Sequence, residues 1–169
     1  LLAQPAVPAA PPTVPPSGLV GTVVGDQFTM FRVAVPNALN RGGVPDTRGI
    51  TEALSGTVQR DLKIAAYFDL IDPQAFLIDP AKEGLDPNFR AWFNVGAQGL
   101  VKIAFDVTGS EVEVDCRLFT VDRAQRVPLP PPFDKPARMP LDTDKLRLHA
   151  HGFANEIVRY YTGEDGFFL

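Results

Sequence analysis

Few side chains in this 169-residue sequence have the type and spacing that chemistry requires. The two histidines, His149 and His151, lie two positions apart on a predicted helix, so they point to different faces and cannot chelate one metal as an i, i+4 pair would. The one cysteine, Cys116, can form neither an internal disulfide nor a thiolate metal site, and its apolar surroundings predict an inert buried thiol. The sequence therefore indicates no metal centre and no cofactor.

Several aspartates lie at or near predicted turns, where a carboxylate hydrogen-bonds backbone amides without catalysis: Asp69, Asp72, Asp79 and Asp86. Asp61 lies on a predicted helix beside Arg60 and Lys63, and we interpret it as part of a solvated ion pair. His151 falls near the apolar face of its helix, which predicts a hydrogen-bonded core histidine. These carboxylates and imidazoles are therefore assigned structural roles.

Motifs for catalysis and nucleotide binding are missing from the sequence. It contains no Gly-x-Ser-x-Gly, His-Glu-x-x-His or Gly-x-Gly-x-x-Gly, and Gly42-Gly43 is not followed by the Lys-Ser/Thr that a P-loop needs. An enzyme would need an acid–base pair, drawn from Asp61, His149 and His151, to converge in one pocket. We therefore predict a binding domain that is not an enzyme.

Residues 98–121 carry the strongest structural pattern, a β-hairpin. Gly109-Ser110 suits a two-residue type II′ turn, which fixes the pairing of the two arms. The apolar residues then pair across the hairpin as Val107–Val112, Phe105–Val114, Ile103–Cys116 and Val101–Leu118. Charged residues at the alternate positions, such as Lys102 and Asp115, predict that the second face of the hairpin lies in water.

Two long helices are predicted to pack against this hairpin. The first is capped by Asp46 or Thr47 and runs to about Ala66, with an apolar stripe at i, i+3/i+4 spacing: Ile50, Ala53, Leu54, Val58, Leu62 and Ala65. The second runs from about Lys145 to Tyr161 behind an Asp-Thr-Asp cap. With short strands at 28–35 and 68–73, these elements predict an α/β (α+β) fold: a mixed sheet of about five strands with two long helices on one face.

The composition limits the classes of partner. Hydrophobic residues make up 45% of the chain and charged residues 21%, which are values of a globular domain. A net charge of −4 gives no support for binding nucleic acid or an anionic membrane. No apolar run reaches the roughly 18–20 residues that span a bilayer. We therefore predict neither a nucleic-acid-binding nor a membrane-spanning protein.

The 17 prolines are concentrated in two stretches, residues 4–18 and 127–140. The first stretch holds no charge and is predicted to be an extended, flexible spacer. An alternative is a ligand for an SH3-like groove, although the flanking Arg or Lys that such ligands often use is missing. Residues 1–6 resemble the end of a signal peptide. The second stretch is predicted to be irregular or at best an edge strand.

The segment after the proline-rich spacer is a candidate binding strand. It consists of Leu19, Val20, Gly21, Thr22, Val23 and Val24, and is rich in β-branched residues. A strand reached through a spacer can lie at a sheet edge or leave it, and edge strands with unpaired amides are common sites of β-addition by a partner. The alternative is an ordinary strand within the sheet.

Four blocks of the sequence, read in order, resemble the N-terminal domain of the TolB family, the periplasmic component of the Tol-Pal system of Gram-negative bacteria. The blocks are Phe31–Pro36; Val58–Leu62 with Phe68–Asp72; Trp92 with Val95–Val101; and His151–Val158 with Tyr161–Phe168. Their order and spacing extend over residues 19–169. The two proline-rich stretches depart from the pattern of the family's better-known members.

The resemblance implies a periplasmic, non-enzymatic domain similar to the anticodon-binding domain of class II tRNA synthetases, without RNA binding. This domain would comprise residues 19–163, and residues 164–169 would lead to a β-propeller that contacts the lipoprotein Pal. The family's N-terminal segment binds the inner-membrane protein TolA, and its counterpart here would be Leu19–Val24. The resemblance also implies a role in outer-membrane integrity and in envelope constriction at cell division. The alternative is a stand-alone envelope lipoprotein or export-apparatus binding domain of the same fold.

Overall fold

A mixed β-sheet lies at the centre of the computed structural model, which describes residues 29–169. The strands are β1 (Phe31–Ala34), β2 (Leu39–Asn40), β3 (Phe68–Leu70), β4 (Gly99–Thr108), β5 (Glu111–Thr120), β6 (Gln125–Arg126) and β7 (Ala137–Pro140). The main path runs β3-β1-β4-β5-β6, while β2 pairs with β4 and β7 pairs with β5. The predicted mixed sheet of about five strands is confirmed in this main path, beside which two short strands are added.

The helices of this part of the chain are α1 (Thr57–Ala65), α2 (Pro80–Glu83), α3 (Phe89–Asn94) and α4 (Thr143–Thr162). A π-helical segment, Glu52–Gly56, leads directly into α1. Helices α1 and α4 bury their apolar faces in one core with Val33 and Val101 of the sheet, so both lie on the same face, as predicted. None of the helices within residues 29–169 is long and apolar enough to cross a membrane.

The β4–β5 hairpin has the predicted register. Every predicted apolar pair is found, from Val107–Val112 near the turn to Val101–Leu118 at the other end. Gly109 has a φ of 63°, as the first central residue of a type II′ turn requires. The period-two pattern therefore fixed both the strands and their pairing.

The first predicted long helix is divided into the π-helical segment Glu52–Gly56 and α1, and the predicted cap residue Asp46 bonds to the two amides just before this segment. The carboxylate of Asp46 accepts hydrogen bonds from the backbone N–H groups of Ile50 (2.9 Å) and Thr51 (2.7 Å), which would otherwise lack partners in a first helical turn. Burial alone would raise the pKa of Asp46, but these backbone donors outweigh it and hold the pKa below its usual range. All six residues of the predicted stripe are buried.

Helix α4 also matches its prediction closely. Its N-terminus is capped by Asp142, which accepts from the N–H groups of Asp144 and Lys145 (both 3.0 Å), and it ends at Gly163, whose φ is 75°. Its buried face is Leu146, Ala150, Phe153, Ala154, Ile157, Val158 and Tyr161.

The second face of the hairpin was predicted to lie in water, and this prediction is wrong for the half of the hairpin farther from its turn. A second core covers that face and consists of Ala34, Ile71, Trp92, Ala97, Leu100, Phe119 and Val121. The segment from Ile71 to Ala97, with helices α2 and α3, supplies its outer layer. Lys102 and Asp115 are consequently only 4% and 1% exposed. The sheet is therefore covered on both faces, by long helices on one and by short helices and loops on the other.

Two stretches with little predicted structure take defined positions. Residues 74–87, predicted as a loop, contain α2, which Asp79 caps by accepting from the N–H of Ala81 (3.0 Å). The proline-rich stretch 127–140 ends in strand β7, in agreement with the predicted edge strand. After α4 the chain turns back along the helix, where the side chain of Asn155 exchanges two hydrogen bonds with the backbone of Phe168 (2.9 and 3.0 Å).

Candidate interaction site

The predicted binding strand, Leu19–Val24, lies outside the described residues, as does the proline-rich spacer before it. In sequence, this segment comes shortly before β1, which begins at Phe31 and is described by the structure. Strand β1 pairs with β3 on one side and with β4 on the other, in parallel with both. Both backbone edges of β1 are therefore occupied.

The neighbouring strand β3 has an open outer edge. Its inner edge bonds to β1, through Phe31 N–H to Tyr67 O (2.9 Å) and Ile71 N–H to Val33 O (3.0 Å). Because alternate residues of a strand bond to the same side, Phe68 and Leu70 direct their backbone groups to the other side. No strand within residues 29–169 pairs there. This edge can accept an added strand.

A cleft of about 280 Å³, here called the Tyr161 cleft, lies beside the start of β1. Its lining includes Phe31, Phe93, Gly96, Gln98, Asp122 and Tyr161. The ring of Tyr161 packs 4.8 Å from Phe31 and 5.6 Å from Phe68, measured between centroids, whereas the Phe93 side chain is 63% exposed. The cleft therefore has one buried aromatic wall and one exposed aromatic wall.

The hydroxyl group of Tyr161 is buried and has no hydrogen-bond partner among the described residues. It lies so close to Gly99 that a Cβ atom at that position would collide with it, so β4 must begin with glycine here. Burial raises the pKa of Tyr161, with Tyr160 and Asp122 adding to the effect. An unsatisfied buried hydroxyl costs about 1–3 kcal/mol, and such a group calls for an explanation.

The interpretation of Asp61 as a solvated ion pair is wrong. Asp61 is only 4% exposed, because α4 covers its face of α1, and its carboxylate lies 2.6 Å from Nδ1 of His151. Burial raises the pKa of Asp61, although the contact with His151 and the charge of Arg60 oppose the rise. The prediction that His151 is hydrogen-bonded is confirmed. The pair forms a polar link between α1 and α4.

The third residue considered for an enzyme, His149, does not join the Asp61–His151 pair. Its ring packs against Phe133 instead, with 4.8 Å between centroids, and burial lowers its pKa. Cys116 is buried as predicted, and burial raises the pKa of its thiol, which keeps it protonated and inert. No group of three or more metal-ligating side chains occurs in the described part of the chain.

A buried charged cluster on the second face of the sheet was missed in the sequence. The ammonium of Lys102 forms an ion pair with Glu83, whose side chain is 6% exposed, and lies 5.7 Å from the centroid of Trp92. The same carboxylate accepts from Nε1 of Trp92 (2.9 Å) and from the backbone N–H of Asn88 (2.6 Å). The cluster therefore ties α2 and α3 to β4. The one available signal was Trp92, in the short helix that the sequence predicts from Asn88, directly after the loop-like residues 74–87.

These observations define a small α+β domain with an open strand edge at β3 and, within residues 29–169, no assembled metal centre. Residues 22–127 match the family model described as the TolB amino-terminal domain, and the chain belongs to this family. The predicted resemblance is thereby confirmed.

Relatives and a solved structure agree with this assignment. The Tol-Pal system protein TolB of Anaeromyxobacter dehalogenans (strain 2CP-C) is 31% identical over 169 residues, covering 99% of this chain and 37% of that protein. The protein of the same name from Myxococcus xanthus (strain DK1622) is 31% identical over 150 residues, covering 87% and 32%. The chain thus spans about a third of the length of these curated relatives. The crystal structure of TolB from Acinetobacter baumannii has a similar fold, with a TM-score of 0.56 and 16% identity over 82% of this chain and 30% of that one.

Proposed function

We propose that this chain is a non-enzymatic interaction domain of a Tol-Pal system that binds a TolA-like inner-membrane protein through Leu19–Val24. The observation that carries the proposal is the family match over residues 22–127. The names of the curated relatives place them in the Tol-Pal system, and we extend that role to this chain. The domain would act in the periplasm and support outer-membrane integrity and envelope constriction at cell division.

The proposed mechanism is strand addition. Because both edges of β1 are occupied, a strand that precedes β1 has no free place beside it. We propose that Leu19–Val24 alternates between docking elsewhere on its own domain and adding as a strand to the TolA-like partner. Each hydrogen bond gains about 0.5–1.5 kcal/mol net, and association itself is costly, so six residues give moderate affinity. Moderate affinity suits a reversible link across the periplasm.

The domain boundaries remain part of the proposal. We propose that residues 19–163 form the interaction domain and that residues 164–169 lead to a β-propeller, through which Pal would be bound. The contact between Asn155 and Phe168 supports this proposal. Two hydrogen bonds and the buried Phe168 ring hold residues 164–169 along α4, so this segment leaves the domain in a defined direction.

Deletion of residues 1–24 should abolish binding to the periplasmic domain of TolA from the source organism, while deletion of residues 1–18 should leave it within about twofold of the full chain. The reason is that only the longer deletion removes the proposed binding strand. The measurement is titration calorimetry of both variants and the full chain.

The control is thermal unfolding. Residues within 29–169 form the two cores that the structure describes, so we expect both shortened chains to melt within a few degrees of the full chain. Retained TolA binding after the longer deletion would contradict the proposed site.

A further inference from the structure

The outer edge of β3 offers a row of unpaired backbone groups. The N–H and C=O groups of Phe68 and Leu70 point away from β1, and no hydrogen bond to them occurs within residues 29–169. No proline interrupts this strand, so every one of its residues keeps its N–H. An edge of this kind is a site at which an extended segment can add to a sheet.

The edge of β7, on the opposite side of the sheet, is blunted by proline. In the pairing of β7 with β5, the N–H of Leu141 bonds to the carbonyl of Ser110 (2.8 Å). By alternation, Arg138 and Pro140 direct their backbone groups away from β5. Pro140 has no N–H, and its carbonyl already accepts from the N–H of Asp142 (2.8 Å). Because proline at an edge hinders further pairing, the edge of β3 is better suited to an added strand.

The chain that leads into β1 is long enough to reach the outer edge of β3. Strand β1 begins at Phe31, and β3 lies directly beside it. A strand on the outer side of β3 would lie two strand spacings from β1, about 9–10 Å, whereas the connecting residues 25–30 can span up to about 20 Å. Gly25-Asp26 in this connection favours a turn. The segment before the turn would therefore run back antiparallel to β1 and, since β1 and β3 are parallel, antiparallel to β3.

The composition of Leu19–Val24 suits a strand at this edge. The segment contains no proline and no charged residue, and it is rich in β-branched residues, so each of its amides can donate. We propose that, in the free chain, Leu19–Val24 docks as an antiparallel strand on the outer edge of β3. Only the backbone groups of Phe68 and Leu70 are available to it, so the docked strand is held by few hydrogen bonds and can leave.

This inference rests on the proposed function, which assigns docking on the domain to Leu19–Val24 without a place for it. The docking concerns the chain without a partner, so its test does not require TolA.

Amide hydrogen exchange of the 169-residue chain, measured for each residue by NMR, tests the docking place. Deletion of residues 1–24 should speed exchange of the Phe68 and Leu70 amides about fivefold, because the docked strand supplies their acceptors. The matched control is the Ile71 amide, which bonds to Val33 on the inner edge (3.0 Å) and should keep its rate. Deletion of residues 1–18 should leave all three rates unchanged. Equal exchange of Phe68 and Leu70 in the full chain and in the chain without residues 1–24 would overturn the proposal.

Proline substitutions test whether the backbone of the segment makes the contact. Adjacent residues of a strand direct their N–H groups to opposite sides, so the double variant Thr22→Pro/Val23→Pro removes a donor to β3 in either register. This variant should speed exchange of the Phe68 and Leu70 amides as the deletion does, whereas Ala10→Pro in the spacer should not. Unchanged exchange in the double variant would refute strand pairing at this edge.

Two further results separate the alternatives. Dilution of the full chain should leave the exchange rates of Phe68 and Leu70 unchanged, because the strand belongs to the same molecule; faster exchange on dilution would assign the strand to a second copy and contradict the proposal. If Leu19–Val24 proves necessary for TolA binding while its deletion leaves Phe68 and Leu70 unaffected, the docking place is refuted and the proposed function stands.

Discussion

Lys102→Met is expected to lower the free energy of unfolding by about 3–5 kcal/mol, the loss that follows when one member of a buried ion pair is removed. The side chains of Lys102 and Glu83 are 4% and 6% exposed, so the carboxylate left behind would have little access to water. The remaining donors, Trp92 and Asn88, are neutral and cannot balance its charge. Urea denaturation at neutral pH measures the effect.

The matched control is Lys82→Met, which removes an exposed lysine from the position next to Glu83 and should change stability by no more than about 0.5 kcal/mol. The double variant Glu83→Gln/Lys102→Met keeps an acceptor for Trp92 and removes the unbalanced charge, so it should regain at least half of the loss. A single variant as stable as the wild type would mean that the pair does not hold α2 and α3 to the sheet.

His151→Leu is expected to cost about 3 kcal/mol at neutral pH, near the lower end for a buried pair because the His151 side chain is 24% exposed. The change leaves the Asp61 carboxylate buried without its partner. Burial already raises the pKa of Asp61, and His151 opposes the rise, so the variant should raise this pKa further. Thermal unfolding at several pH values measures both effects.

The pH dependence has a definite sign. Because the pKa of Asp61 is raised in the folded state above its usual 3.8, its contribution to stability is complete below that value and is lost as the pH rises through the folded-state pKa. The loss of stability caused by His151→Leu should therefore be largest at neutral pH and become smaller on acidification. The double variant Asp61→Leu/His151→Leu has no carboxylate at position 61. The difference in stability between the double variant and His151→Leu should therefore also become smaller on acidification. A deficit that grows towards acid pH would contradict the burial of a charged Asp61.

The sequence predicted the elements whose patterns are local. The alternation in β4 and β5 specified a register that is correct at every apolar pair, since a slip by one residue would expose one strand's whole apolar set. The apolar stripes of residues 50–65 and of α4 were also predicted correctly, as were the carboxylates of Asp46 and Asp142 as acceptors for nearby backbone amides, because the first amides of a helix need side-chain acceptors.

The predictions that are wrong or missing concern contacts between residues that are far apart in sequence. Lys102 has the pattern of a solvated residue, and only the folded segment that brings Glu83 and Trp92 onto it makes it buried. Asp61 and His151 are separated by 90 positions, so neither helix alone indicates the pair. The Tyr161 cleft was missed for the same reason, because its lining comes from β1, α3, the loop before β4, the end of β5 with the turn after it, and α4.

The most direct measurement for the central claim is amide hydrogen exchange over Leu19–Val24, with and without a saturating TolA periplasmic domain. Strand addition predicts that alternate amides of this segment become strongly protected in the complex, because alternate N–H groups point to the same partner strand. If TolA binds and these six residues exchange as fast as in the free chain, the proposed binding strand is contradicted.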